Sequence, residues 1–186
     1  MRLFVSVDLP EDLAEAIASV QELLADAEGI RPVEPTQAHV TLKFLDDTTE
    51  ARVPEVVGGL EGAVADAGVG PFEVELAGLG VFPSLEYISV VWVGVDEGAD
   101  ELRTLHEAVE RALVDRGFEP ESHDFTPHVT IARMDHAGGK ALVQRTVRER
   151  SPSVGRFAAT SVNLTESTLT PDGPRYETVE RVPLGS

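Results

Sequence analysis

The period of the hydrophobic pattern changes several times along the chain. Residues 2–8 alternate, with Leu3, Val5 and Val7 on one parity and Phe4 and Ser6 on the other, which predicts a half-buried strand. Pro10 closes it. From Glu11 the apolar positions recur at helical spacing through Ile17, Val20 and Leu24, predicting a helix over 11–28 that Gly29 ends. A proline-containing loop over 31–37 leads to a β-branched run at 38–45, and a second helix is expected over 50–67 with Gly58-Gly59 weakening its middle. Strands are predicted at 72–82 and 87–95, the latter almost continuously apolar, followed by an amphipathic helix over 96–116 closed by Gly117. A second β-branched run at 127–133, a helix over 140–150, a strand over 157–169 and a last strand over 176–182 complete the chain. The turn Pro171-Asp172-Gly173-Pro174 makes the last pair a hairpin.

The two β-branched runs share a text. Ala38-His39-Val40-Thr41-Leu42-Lys43-Phe44-Leu45 and Pro127-His128-Val129-Thr130-Ile131-Ala132-Arg133 both read His-x-Thr-x, with the histidines 89 positions apart. Successive strand side chains point to opposite faces, so each copy places an imidazole and a hydroxyl about 6–7 Å apart on one face, with aliphatic residues on the other. The elements around the copies repeat as well: strand, helix, His-x-Thr strand, helix, strand. This order predicts an α+β, bilobal, duplicated fold. Two antiparallel-rich sheets with outer helices are related by a pseudo-twofold axis, and the cleft between the lobes is the active site. Residues 1–186 form one domain, with repeats over about 1–83 and 87–186.

Composition narrows the setting. A 186-residue chain with 42% apolar residues can bury one real core. It has no apolar run near 18 residues and no basic leader, so a cytoplasmic protein without a membrane partner is expected. Cysteine is absent, which removes thiolate nucleophiles and disulfides. Acids outnumber bases 33 to 15, and only Lys43 and Lys140 are lysine. That balance suggests a surface adapted to a salty cytoplasm, and it argues against sequence-independent nucleic-acid binding, which needs a basic patch. A single RNA end is still an acceptable substrate, because at molar salt the screening length is about 3 Å.

Two imidazoles at matched positions suit acid–base chemistry near neutral pH. A phosphodiester seated between them would have one imidazole to take a proton from water and the other to protonate the departing oxygen, with Thr41 and Thr130 on the non-bridging oxygens. No metal or other cofactor is required. For one copy alone, a core histidine is the simpler explanation; the joint repeat of histidine, threonine and register favours function. A metal site is disfavoured by the lack of a carboxylate of matching parity. His106, His123 and His136 read as structural or solvated. Gly78 and Gly80 lack dinucleotide-loop spacing and mark a turn or bulge.

The paired motifs resemble those of the two-histidine phosphoesterases, in particular the RNA 2′,3′-cyclic phosphodiesterases first described as 2′-5′ RNA ligases. The resemblance spans Arg2-Leu3-Phe4-Val5 to Pro10, Thr41 to Leu45, Gly78 to Pro83, Phe125 to Arg133, and Ser167-x-Leu169 with Gly173-Pro174-x-Tyr176. Asp46-Asp47 and Leu85-Glu86-Tyr87-Ile88 depart from that family's pattern, the second at a position that bears on the cleft rim. The resemblance implies hydrolysis of 2′,3′-cyclic phosphate RNA ends to 2′-phosphates, with weak reverse 2′-5′ joining, His128 as base and His39 as acid. Alternatives are a small cyclic nucleotide or 2′-5′ oligonucleotide as substrate, or a non-enzymatic RNA-end-binding protein. A monomer is expected. Lys43 shares the parity of His39 and is a candidate phosphate ligand. Arg133 has the wrong parity and needs a bulge or strand end to reach the phosphate. Phe4 is a candidate base-stacking residue.

Overall fold

The computed structural model describes residues 1–185. In chain order its elements are β1 (Arg2–Asp8), α1 (Ala14–Glu22), β2 (Ile30–Pro32), β3 (His39–Asp47), α2 (Val53–Ala67), β4 (Phe72–Pro83) and β5 (Ile88–Val95). These are followed by α3 (Ala99–Val114), β6 (His128–Met134), α4 (Lys140–Glu149), β7 (Ser153–Ala159), β8 (Ser161–Thr170) and β9 (Gly173–Pro183). The strands form one sheet in the order β7-β4-β5-β6-β3-β1-β8-β9, with the short β2 beside β6. Every pairing is antiparallel. The two sheets expected from the repeat are joined into one through a narrow seam: β3 and β6 meet at a single register pair, Val40 opposite Val129.

The helices cover the apolar face. Leu102, Leu105, Val109 and Leu113 of α3 are fully buried. Each such side chain contributes about 1.5–3 kcal/mol of transfer free energy. α2 runs unbroken through Gly58-Gly59. Gly59 lies where α2 crosses α3, and a Cβ there would stand 3.0 Å from Leu113, so the glycine serves close helix approach. α1 ends at Glu22 rather than 28, because the chain folds into turns that bury Leu24 and Ala27 before returning as β2.

Two further expectations are corrected. β1 is buried on both faces from Leu3 to Val7, since β3 and β8 flank it and aromatic rings cover its polar-parity side. The strand expected over 157–169 is two strands that part at Thr160: β7 pairs with β4 at one edge of the sheet and β8 pairs with β1 in the other half. The buried parity changes at the break, from Phe157 and Ala159 to Val162 and Leu164, and that one-residue shift is the trace the crossing leaves in the pattern. Among the described residues no helix is long and apolar enough to cross a membrane.

Candidate active site

Each histidine strand opens on its histidine and carries a bulge just after its threonine; β3 has a second register shift between Phe44 and Asp46. In β3, Thr41 stands opposite Ser6 of β1 while Lys43 stands opposite Val5, so Leu42 is an extra residue. In β6, Thr130 stands opposite Trp92 of β5 while Ala132 stands opposite Val91, so Ile131 is extra in the same place. An extra residue in one strand reverses the alternation beyond it. The consequence is visible in the burial: Leu42 and Lys43 are both buried and Phe44 is out, Ile131 and Ala132 are both buried and Arg133 is out.

The bulges decide the fate of three predicted site residues. Arg133 reaches the histidine face despite its parity, and its charge acts on His39, His128 and Tyr176. Among the described residues no ion pair engages it. Lys43 is corrected: it is 1% exposed and turned to the helix side, with its ammonium 2.9 Å from Glu110 and donating to the Glu119 carbonyl at 2.7 Å. It cannot meet a phosphate in the cleft. Phe4 is corrected as well. With 4% of its surface exposed it has no free face for a base, and it packs as a floor under His39, ring centroids 4.9 Å apart.

The two imidazoles are held alike. His39 Nδ1 lies 3.0 Å from the Gln37 carbonyl and His128 Nδ1 lies 2.7 Å from the Thr126 carbonyl, in both cases two residues back. A carbonyl only accepts, so Nδ1 carries the hydrogen and Nε2 is left for chemistry. Thr41 and Thr130 share the half-buried face of their strands with these rings. Burial holds both imidazoles below the ordinary value, by disfavouring the charged form.

Their surroundings then diverge. Asp8 stands directly across the ladder from His39 and pulls its pKa upward. The carboxylate accepts hydrogen bonds from Ser6 Oγ and Asn163 Nδ2, each at 2.8 Å, and both donors belong to buried residues. His39 is also enclosed by Phe4 and by Tyr176, whose ring meets it edge-on at 5.1 Å. His128 instead stands between Phe82 at 4.9 Å and Trp92 at 5.8 Å, and feels the repulsion of His39 and Arg133. A Cβ on Gly80 would lie 2.2 Å from the Trp92 ring, so that glycine makes room for the indole rather than turning the chain.

Asp8, Gln37, Phe44, Phe82, Trp92 and Tyr176 were not singled out by the sequence. Phe44 is 59% exposed beside Phe4, at the place in β3 that Arg133 takes in β6. Gln37 ties the first motif to the closing hairpin, accepting from Tyr176 N at 2.8 Å. Asp8, Phe44, Phe82 and Tyr176 lie in stretches that carry the family resemblance; their place at the site, like that of Gln37 and Trp92, depends on bulges and cross-strand register. Among the described residues no three His, Cys, Asp or Glu converge as a metal-ligand set. His136 receives Gly138 N, and His106 faces the strand from α3.

Comparison with known proteins gives a consistent neighbourhood. Residues 9–169 match the family described as the 2′-5′ RNA ligase superfamily. The RNA 2′,3′-cyclic phosphodiesterase of Methanothermobacter thermautotrophicus is 35% identical over 184 residues, 97% of both chains. That of Methanocaldococcus jannaschii is 33% identical over 181 residues, 97% of this chain and 99% of the other. Among solved structures, TT0787 of Thermus thermophilus aligns with a TM-score of 0.81 at 27% identity, covering 99% of this chain and 98% of that one. Escherichia coli LigT complexed with 3′-AMP aligns at 0.80 and 24% identity over 100% and 98%, a likeness of fold.

Proposed function

This chain belongs to the 2′-5′ RNA ligase superfamily, and from that premise we propose that it is an RNA 2′,3′-cyclic phosphodiesterase that opens cyclic phosphate ends to 2′-phosphates. The observation that carries the reading is the matched pair of imidazoles, each with Nδ1 spent on a backbone carbonyl and Nε2 free.

The reaction is an in-line displacement at phosphorus. His128 Nε2 accepts a proton as water attacks, the P–O3′ bond breaks, and His39 Nε2–H gives its proton to O3′. The products are a 2′-phosphate and a 3′-hydroxyl, and proton exchange with solvent restores the two rings. Asp8 supports His39 as the proton holder, while the apolar flank of His128 and the nearby cations support a neutral base there. Thr41 and Thr130 donate to the non-bridging oxygens, and the unpaired Arg133 offsets the charge that grows on them. The exposed ring of Phe44 offers the terminal base a stacking face. Both proton transfers are made by side chains, so the steps need no metal. The reverse path is a weak 2′-5′ joining reaction. The excess of acids and the scarcity of lysine support a monomer working in a salty cytoplasm.

The test is an assay of an oligonucleotide ending in a 2′,3′-cyclic phosphate, in molar KCl with EDTA, with product ends identified. The wild type yields 2′-phosphate, and His39→Ala or His128→Ala lowers turnover by about 10²–10⁴-fold without unfolding the chain. Full activity in either variant would refute the assignment of the imidazoles. Binding of the oligonucleotide with no turnover would make the protein an RNA-end-binding module instead.

A further inference from the structure

Two carbonyl oxygens stand behind the positions of Arg133 and Phe44. They belong to the extra residues of the two bulges, Ile131 and Leu42, and each receives a side-chain hydrogen bond from a helix of the opposite half of the chain. Gln21 of α1 donates Nε2 to Ile131 O at 2.9 Å and to Val33 O at 2.8 Å. Val33 N donates to the same Ile131 oxygen at 3.0 Å. His106 of α3 donates Nδ1 to Leu42 O at 2.8 Å, with its ring stacked on Phe125 at 4.2 Å and 7°. One turn along α3, Glu110 takes the ammonium of Lys43, the residue after Leu42.

A bulge interrupts the ladder, so its extra residue must find hydrogen-bond partners elsewhere. Without one, a buried carbonyl is costly, and the strand gains by returning to regular alternation. In β6 that return would bring Ala132 to the cleft and carry Arg133 to the helix side. In β3 it would bring Lys43 to the cleft and bury Phe44. A slip of one residue exchanges every side chain beyond it between the two faces.

We propose that Gln21 and His106 are positioning residues of the site: from outside the cleft they hold the two bulges that aim Arg133 at the phosphate and Phe44 at the base. The proposal rests on the roles given to Arg133 and Phe44 in the reaction above. Gln21 makes no hydrogen bond to Arg133; it acts through the Ile131 carbonyl, which it shares with Val33 N, and through the Val33 carbonyl that it ties to the bulge.

A double-mutant cycle tests it. kcat and KM for the cyclic-phosphate oligonucleotide are measured in the wild type, Gln21→Met, Arg133→Ala and the double variant, with thermal melts beside them. Gln21→Met lowers kcat/KM by about tenfold, the cost of a displaced catalytic contact. In the Arg133→Ala background the same change costs less than about twofold, because there is no guanidinium left to aim. Gln21→Lys keeps a donor at that place and stays within about twofold of the wild type; should Gln21→Met not fold, Gln21→Ala takes its place in the cycle. His106→Leu raises KM several-fold while kcat holds, and has no further effect once Phe44 is alanine. Losses that multiply in full in the Arg133→Ala background, or a Gln21→Lys as impaired as Gln21→Met, would overturn the proposal. A wild type that leaves cyclic ends intact overturns the functional reading itself, which an active wild type with additive losses does not.

Discussion

Replacing Asp8 by asparagine removes one negative charge opposite His39 and preserves the side chain's shape. Asp8 is His39's partner in the β1–β3 ladder, and its carboxylate is pinned by Ser6 and Asn163. Side chains directly opposed in an antiparallel ladder lie about 5 Å apart. At that distance a unit pair is worth about 0.8 kcal/mol in water and about 3 kcal/mol at an effective dielectric of 20. Asp8 itself is exposed, which places the value near the lower end. Roughly 1 kcal/mol corresponds to about 0.7 of a pH unit. The sign follows from the charge: an anion favours imidazolium, so its removal lowers the pKa of His39, which burial and Arg133 already depress and the edge of the Tyr176 ring encloses.

With His39 holding the proton and His128 neutral, the alkaline limb of kcat/KM against pH belongs to His39 and the acid limb to His128. Asp8→Asn therefore moves the alkaline limb down by about half to one unit and leaves the acid limb in place. His128 can be titrated separately, because the chain's one tryptophan stands 5.8 Å from it and a protonated imidazole quenches a neighbouring indole. That fluorescence titration is unchanged in Asp8→Asn. An acid limb that moves while the alkaline limb stays would reverse the two roles. A profile that does not move at all would remove Asp8 from the site's electrostatics.

Arg133→Ala lowers kcat/KM by about 10²–10³-fold, as expected for a preorganised charge at a developing oxyanion, and Arg133→Lys recovers only part because it loses the planar fork; steady-state kinetics in molar KCl check both. Lys43→Met strips Glu110 of its cation and leaves it accepting from Glu121 N. Glu110 keeps some solvent contact, so the loss is about 2 kcal/mol, read as a fall of roughly 4–8 °C in Tm. Its kcat/KM falls far less than that of Arg133→Ala, and an equal fall would return Lys43 to the list of phosphate ligands.

The reach of the sequence ends at the bulges. Most element types and their order were legible from period and punctuation, though not the short β2 or the parting of β7 from β8, and His39, Thr41, His128 and Thr130 share a face at the start of their strands, where parity still holds. From Leu42 and Ile131 onward parity counts fail, because an extra residue is fixed by the register of the neighbouring strand and by a hydrogen bond from a distant helix, neither of which leaves a local trace. Parity therefore puts Lys43 on the wrong face, and Arg133 enters the candidate site only through the family resemblance. Phe4 was misjudged because burial of the second face of β1 depends on Tyr176, more than 170 positions away. Asp8 closes a predicted strand, and only the pairing register shows it facing an imidazole.

The interleaving of the sheet sets a timetable for synthesis. β1 is made first, yet its outer edge waits for β8, whose Ser167 pairs with Arg2. At about 5–20 residues per second that wait lasts on the order of ten seconds to half a minute. β4, from the first half, likewise ends between β5 and β7 of the second. Neither half has a complete sheet of its own, so a ribosome stalled at the midpoint holds β1, β3 and β4 with unpaired backbone edges rather than a finished lobe.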